Sequence, residues 1–174
     1  MDRVWKLIVI VAVFGAEKAS ASQLRGIDTP AGFEPDDELQ VGYSLPDTDR
    51  TTVNLFDAAG GFVLHVDYRV HFRSNNYIVV INSKPSNGGW GTETRINDLP
   101  FREGDSVALV VTRTDENTFQ ITFGQFPDER TISYTSRLPC ADVRRIQWSG
   151  PDSTDFGYMF VWSTSSDKYI QVEV

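Results

Sequence analysis

The chain has one cysteine, Cys140, and two histidines in 174 residues. A single cysteine excludes an internal disulfide, so the fold must hold together through its core alone. A lone thiol of this kind is expected to be buried. Two histidines and one cysteine make no metal-ligand cluster, and the acidic stretches lack EF-hand spacing. They argue for no Ser/His/Asp or Cys/His arrangement either, so no cofactor, metal or nucleophilic catalysis is expected. Positive charge is also scarce. With 16 Lys and Arg against 24 Asp and Glu, the net charge is −8 at pH 7, which argues against nucleic acid and anionic membrane surfaces as partners. The acidic patch "PDDE" (35–38) reads as a solvated loop. No Asn-x-Ser/Thr sequon occurs, so N-glycosylation of the chain itself is not expected.

Long apolar runs are missing apart from "LIVIVAVFGA" (7–16). It follows a short basic-tipped head, "MDRVWK", and precedes the small-residue stretch "ASA" (19–21). That order predicts a secretory signal peptide over residues 1–21, cut after Ala21. The run is too short to span a bilayer, so no membrane insertion is expected. The mature protein, residues 22–174, is then secreted and extracellular. With 40% apolar residues it has enough material for a single core and one domain.

Helical periodicity with caps is absent as well. What the sequence has instead is short alternating segments, at 38–44, 51–57, 61–72, 77–82, 92–96, 106–113, 118–123, 131–135, 143–148, 158–163 and 168–174. Turn compositions such as "LPDTD", "AAGG", "KPSNGG" and "TDEN" separate them. Many short strands at regular spacing predict an all-β antiparallel sandwich or barrel.

The longest alternation runs from Phe62 to Phe72. Phe62, Leu64, Val66, Tyr68, Val70 and Phe72 fall on one face, and His65, Asp67, Arg69 and His71 fall on the other. The next strand is apolar until Asn82. After a turn come Trp90 and the strand 92–96, where Glu93 and Arg95 share a face. If these three strands are antiparallel neighbours, His65, Asp67, Arg69, Asn82, Glu93 and Arg95 meet on one polar face with Trp90 at its rim. Rigid donors and acceptors beside a flat indole suit a sugar, whose hydroxyls need directional partners and whose C–H face stacks on an aromatic ring. Water competes at such an open patch, so monovalent affinity is expected in the micromolar to millimolar range, about −8 to −4 kcal/mol. The competing reading is a solvated charge ladder, which stabilises a sheet by about 0.2–1 kcal/mol per pair.

The order of these residues resembles a known signature. "HVDYR", then "INS" with Asn82, then "WGTETR" is similar to the carbohydrate-recognition motif of the galectins. That motif is His-x-Asn-Pro-Arg on one strand, an Asn on the next, and Trp-Gly-x-Glu-x-Arg closing the site. Residues 31–55, 99–111, 119–139 and 143–150 resemble the family's flanking strands. The resemblance implies a two-sheet antiparallel β-sandwich of jelly-roll type that binds β-galactosides non-covalently, without metal or cofactor. His65 and Arg69 would hold the axial 4-hydroxyl, Asn82 and Glu93 the 6-hydroxyl, and Trp90 would stack on the galactose ring. Arg69, Glu93 and Arg95 would reach the next sugar. Implied partners are galactose-containing glycans on glycoproteins or glycolipids. Crosslinking by one domain per chain would require self-association, as in a homodimer.

The sequence departs from the pattern in several places. Asp67 replaces Asn, Tyr68 replaces Pro, and "KPSNGG" is one residue longer than usual. Galectins commonly lack a signal peptide, and a C-terminal extension follows about residue 150. These departures motivate an alternative, a galectin-fold interaction module whose retuned site binds a protein or a non-lactose glycan. A glycosidase pair of Asp67 and Glu93 is disfavoured, because an Arg beside each carboxylate lowers its pKa, whereas a general acid needs it raised.

Overall fold

The computed structural model describes residues 25–29, 32–45, 50–73, 75–97, 99–124, 128–150, 156–163 and 168–172. The expected signal peptide lies outside the described residues. Among the described residues, twelve strands form two six-stranded sheets. They are β1 (Arg25–Asp28), β2 (Glu38–Ser44), β3 (Arg50–Phe56), β4 (Phe62–Phe72), β5 (Asn75–Lys84), β6 (Thr94–Ile96), β7 (Ser106–Arg113), β8 (Thr118–Gly124), β9 (Arg130–Thr135), β10 (Arg145–Ser149), β11 (Phe156–Ser163) and β12 (Lys168–Val172). The first sheet has the order β1-β10-β3-β4-β5-β6 and the second β12-β11-β2-β7-β8-β9. The pairings within both sheets are antiparallel. The expected all-β sandwich is therefore the fold, and a short 3-10 turn, Cys140–Asp142, is the only helix among the described residues.

Alternation explains the packing. In β7 every second residue is buried, and Val107, Leu109 and Val111 meet Val53, Leu55, Leu64, Val66, Val79 and Ile81 of the first sheet in one core. Burying each such side chain stabilises the fold by about 1.5–3 kcal/mol. Cys140 is buried in the same core, and burial pushes its thiol up to about 12. Tyr68 also faces inward, edge-on to Tyr43 and to Phe123.

Two features differ from the sequence reading. Strand β1 was not among the expected strands; it is a short edge strand held by β10. The strands expected at 158–163 and 168–174 are present as β11 and β12, which pair antiparallel and extend the second sheet past β2. Most important for the site, the alternation of β4 is broken by a bulge. Phe62 pairs with Lys84 but His65 pairs with Asn82, so Val63 and Leu64 share the space of one partner residue, and both are buried. The Val63 carbonyl accepts a 2.6 Å hydrogen bond from the buried Ser136 hydroxyl. An extra residue reverses the face of everything before it. Phe62 therefore leaves the core face and joins the polar face beside His65.

Candidate functional site

The outer face of the first sheet is built in ranks by the strand register. Gln147, Asn54, His65 and Asn82 form one rank, and Ser149, Thr52, Asp67, Val80 and Arg95 the next. Arg50 and Arg69 stand opposite each other in a third. Arg145, Phe56, Phe62 and Lys84 make the rank on the other side. Adjacent strands lie about 4.8 Å apart, so the side chains of neighbouring ranks converge. They bound an open cavity of about 640 Å³, with Trp90 and Gly91 on one side, Arg50, Thr52 and Ser149 on the other, and His65, Arg69, Asn82 and Glu93 between.

Asp67 is the floor of this arrangement. Its side chain is 0% exposed. Oδ2 accepts from Arg69 Nε at 2.8 Å and from Arg50 Nη1 at 3.4 Å, with His65 Nε2 at 3.8 Å, while the buried Oδ1 has no hydrogen-bond partner. Burial alone would raise its pKa, but hydrogen bonds and charge from His65 and Arg69 outweigh it and hold the carboxyl below the ordinary value. Asp67 thus stays ionised near neutrality and anchors the two guanidinium groups above it. Arg69 bridges onward, with Nη2 3.5 Å from Glu93 Oε1. Glu93 Oε2 accepts from Arg95 Nε at 2.7 Å. Asn54 Oδ1 lies 2.5 Å from His65 Nδ1. The Asn54 amide oxygen can only accept, so Nδ1 donates there and Nε2 is turned toward Asp67 and the cavity.

Trp90 is 47% exposed. Phe62 and His65 brace its ring at centroid distances of 4.8 and 5.0 Å, and Lys84 Nζ lies 5.7 Å from it. The loop that carries it is pinned from beneath. Asn82 Nδ2 donates to Gly91 O at 3.0 Å, and Gly91 N donates to Ser83 O at 3.2 Å. From the end of the second sheet, Arg137 Nη1 donates to Gly89 O at 2.9 Å. The Arg137 backbone N–H is itself held by Ser83 Oγ at 3.1 Å. A Cβ on Gly91 would come within 3.0 Å of Arg137 Cδ and 3.1 Å of Asn82 Oδ1, so any larger residue there would push on both side chains.

The seven residues singled out from the sequence thus gather on one face, though at different depths. His65, Arg69, Asn82, Trp90 and Glu93 line the cavity; Asp67 lies under it, and Arg95 reaches it through Glu93. Sequence reasoning missed Arg50, Asn54, Phe62, Ser149 and Arg137. The alternation of "RTTVNLF" carried a signal for Arg50, Thr52 and Asn54 as one outward row. Nothing local marks Arg137, which arrives from the opposite sheet. Among the described residues, no group of three or more His, Cys, Asp or Glu could hold a metal ion.

Comparison with known proteins agrees with this fold. Residues 26–152 match the family described as galactoside-binding lectin. Galectin a of Aplysina lactuca is 39% identical over 125 residues, covering 66% of this chain and 82% of that protein. Lactose- and MES-liganded congerin II superposes with a TM-score of 0.68 at 22% identity, over 80% of this chain and 99% of that one. A homodimeric agglutinin from chicken liver gives 0.66 at 22% identity over 80% and 99%. At that identity the two structures show a shared fold.

Proposed function

The chain belongs to the galactoside-binding lectin family, the galectins, and from that premise we propose that it is a secreted lectin for β-galactoside glycans of glycoproteins or glycolipids. The family is one of non-enzymatic lectins, and the chain is not an enzyme. The observation that carries the reading is Trp90, half exposed and braced by Phe62 and His65 beside a fixed polar array. An indole held rigid at the rim offers a stacking wall at little entropic cost.

In this reading the galactose ring lies over Trp90. Its axial 4-hydroxyl shares a hydrogen bond with His65 Nε2 and accepts from Arg69, whose other contacts to Asp67 and Glu93 fix its orientation. Asn82 spends one amide hydrogen on Gly91 O and keeps the second for the 6-hydroxyl, with Glu93 as acceptor. Arg95 and Glu93 meet the next sugar. Asp67 supports binding from below by setting Arg69 rather than by touching the ligand. A homodimer would place two such sites on one particle, as the agglutinin from chicken liver is homodimeric.

The interaction-module alternative gains little from the altered residues. Tyr68 packs in the core, and Asp67 lies beneath the cavity surface. Retention on immobilised lactose with elution by free lactose tests the proposal. A protein that passes through any galactoside matrix unretained would contradict it, and partner binding that lactose leaves unchanged would favour the module.

A further inference from the structure

The β4 bulge and the Trp90 loop place the two rings of the stacking wall, and one stretch of chain from the opposite sheet grips both. Val63 is the extra residue in both ladders of β4. On the β3 side Leu64 pairs with Leu55 and Phe62 with Phe56, and on the β5 side His65 pairs with Asn82 and Phe62 with Lys84. A bulged residue is left outside the ladder, and Val63 is fully buried. The partner of its carbonyl comes from the second sheet, as the Ser136 hydroxyl at 2.6 Å.

Residues 134–138 run off the end of β9 and tie down both sides of the bulge. Ser136 Oγ accepts from Leu138 N at 3.0 Å, which leaves its proton for Val63 O. Across the bulge on β5 stands Ser83, between Asn82 and Lys84. Its Oγ accepts from the Tyr134 hydroxyl at 2.9 Å and from Arg137 N at 3.1 Å. Arg137 Nη1 then reaches Gly89 O at 2.9 Å. Both serines are buried, so water does not compete for their hydrogen bonds.

Each grip falls one residue from a ring of the wall. Val63 follows Phe62, Gly89 precedes Trp90, and the two rings lie 4.8 Å apart. A bulge that slipped by one residue would return Phe62 to the core face. We propose that Ser136 is a positioning residue of the galactoside site. Its hydroxyl fixes the bulge that turns Phe62 outward, and with Arg137 beside it the end of one sheet sets the stacking wall of the other. Ser136 does not line the cavity, so it acts on the sugar through Phe62 and Trp90. This deepens the galactoside reading and rests on it.

Calorimetric titration of lactose into wild type and Ser136→Ala tests the inference, together with fluorine NMR of protein labelled with 5-fluorotryptophan. Loss of a signal in Trp90→Phe and in Trp148→Phe assigns the two resonances. Ser136→Ala is expected to weaken lactose binding at least about fivefold, the worth of one hydrogen bond. Without sugar, its Trp90 resonance should move while that of Trp148, in the core, stays in place. In a Phe62→Ala background the same substitution should cost less than about twofold, because the ring it places is gone. Should Ser136→Ala not fold, Ser136→Cys keeps the volume with a weak donor and carries the same expectations. Lactose affinity equal to wild type overturns the inference. So does weaker binding with the Trp90 resonance unmoved, with both resonances moved alike, or with the full cost retained in the Phe62→Ala background. Each of these leaves the galactoside reading standing, whereas no lactose binding by wild type overturns both.

Discussion

At the scale of single residues, Asp67 has the most to say. Its carboxyl is held below its ordinary pKa by His65 and Arg69 against the opposing effect of burial. A depressed carboxyl contributes stability that is fully present above its unfolded pKa, about 3.9, and is lost as pH falls through the lower folded value. The wild-type melting temperature should therefore be steady above about pH 4 and fall below it, and Asp67→Asn should fall less steeply. Thermal unfolding followed across pH 2–7 by circular dichroism checks the two slopes. Tyr68 makes a second case. Its hydroxyl is buried with no hydrogen-bond partner, so Tyr68→Phe should be neutral or stabilise by up to about 1 kcal/mol in urea unfolding. A loss of more than about 2 kcal/mol would show that the hydroxyl has a partner in solution. The alternation of "HVDYR" told which face each residue takes. It could not tell depth, because Asp67 is covered by Arg50 and Arg69, and Arg50 comes from a different strand.

At the scale of elements, the site depends on a bulge and a pinned loop. Strands β3, β4 and β5 were legible from their alternation and short turns. The bulge at Val63 was not, since Phe62 continues the apolar period in sequence while the extra residue turns it to the other face. Without that turn Trp90 would lose the ring that backs it at 4.8 Å. The Trp90 loop is also tied to the second sheet by Arg137, a long-range contact that no local pattern records. Arg137→Met keeps the stem over Gly91 but removes the donor. It is expected to weaken lactose binding about fivefold, the worth of one hydrogen bond of about 1 kcal/mol, with little change in melting temperature. Arg137→Lys should recover part of the loss. Lactose affinity equal to wild type in Arg137→Met would mean that the loop holds its shape by Asn82 and Ser83 alone.

At the scale of the whole molecule, a rigid two-sheet core presents one shallow, basic, aromatic-edged face on an otherwise acidic protein. The sandwich itself was legible from strand count and spacing, and the resemblance to galectins narrowed sandwich or barrel to sandwich. The edge strand β1 escaped notice because four residues with a glycine carry almost no periodicity. The central claim is that Trp90 and the polar array beside it form a galactoside site. Calorimetric titration of lactose into wild type and Trp90→Ala tests this most directly. The account predicts a dissociation constant between about 1 μM and 1 mM for wild type, and a weakening of at least about tenfold in the variant, the worth of one lost stacking contact. Equal affinity in the two proteins would place the sugar elsewhere, and no binding by wild type to lactose or any other galactoside would contradict the claim itself.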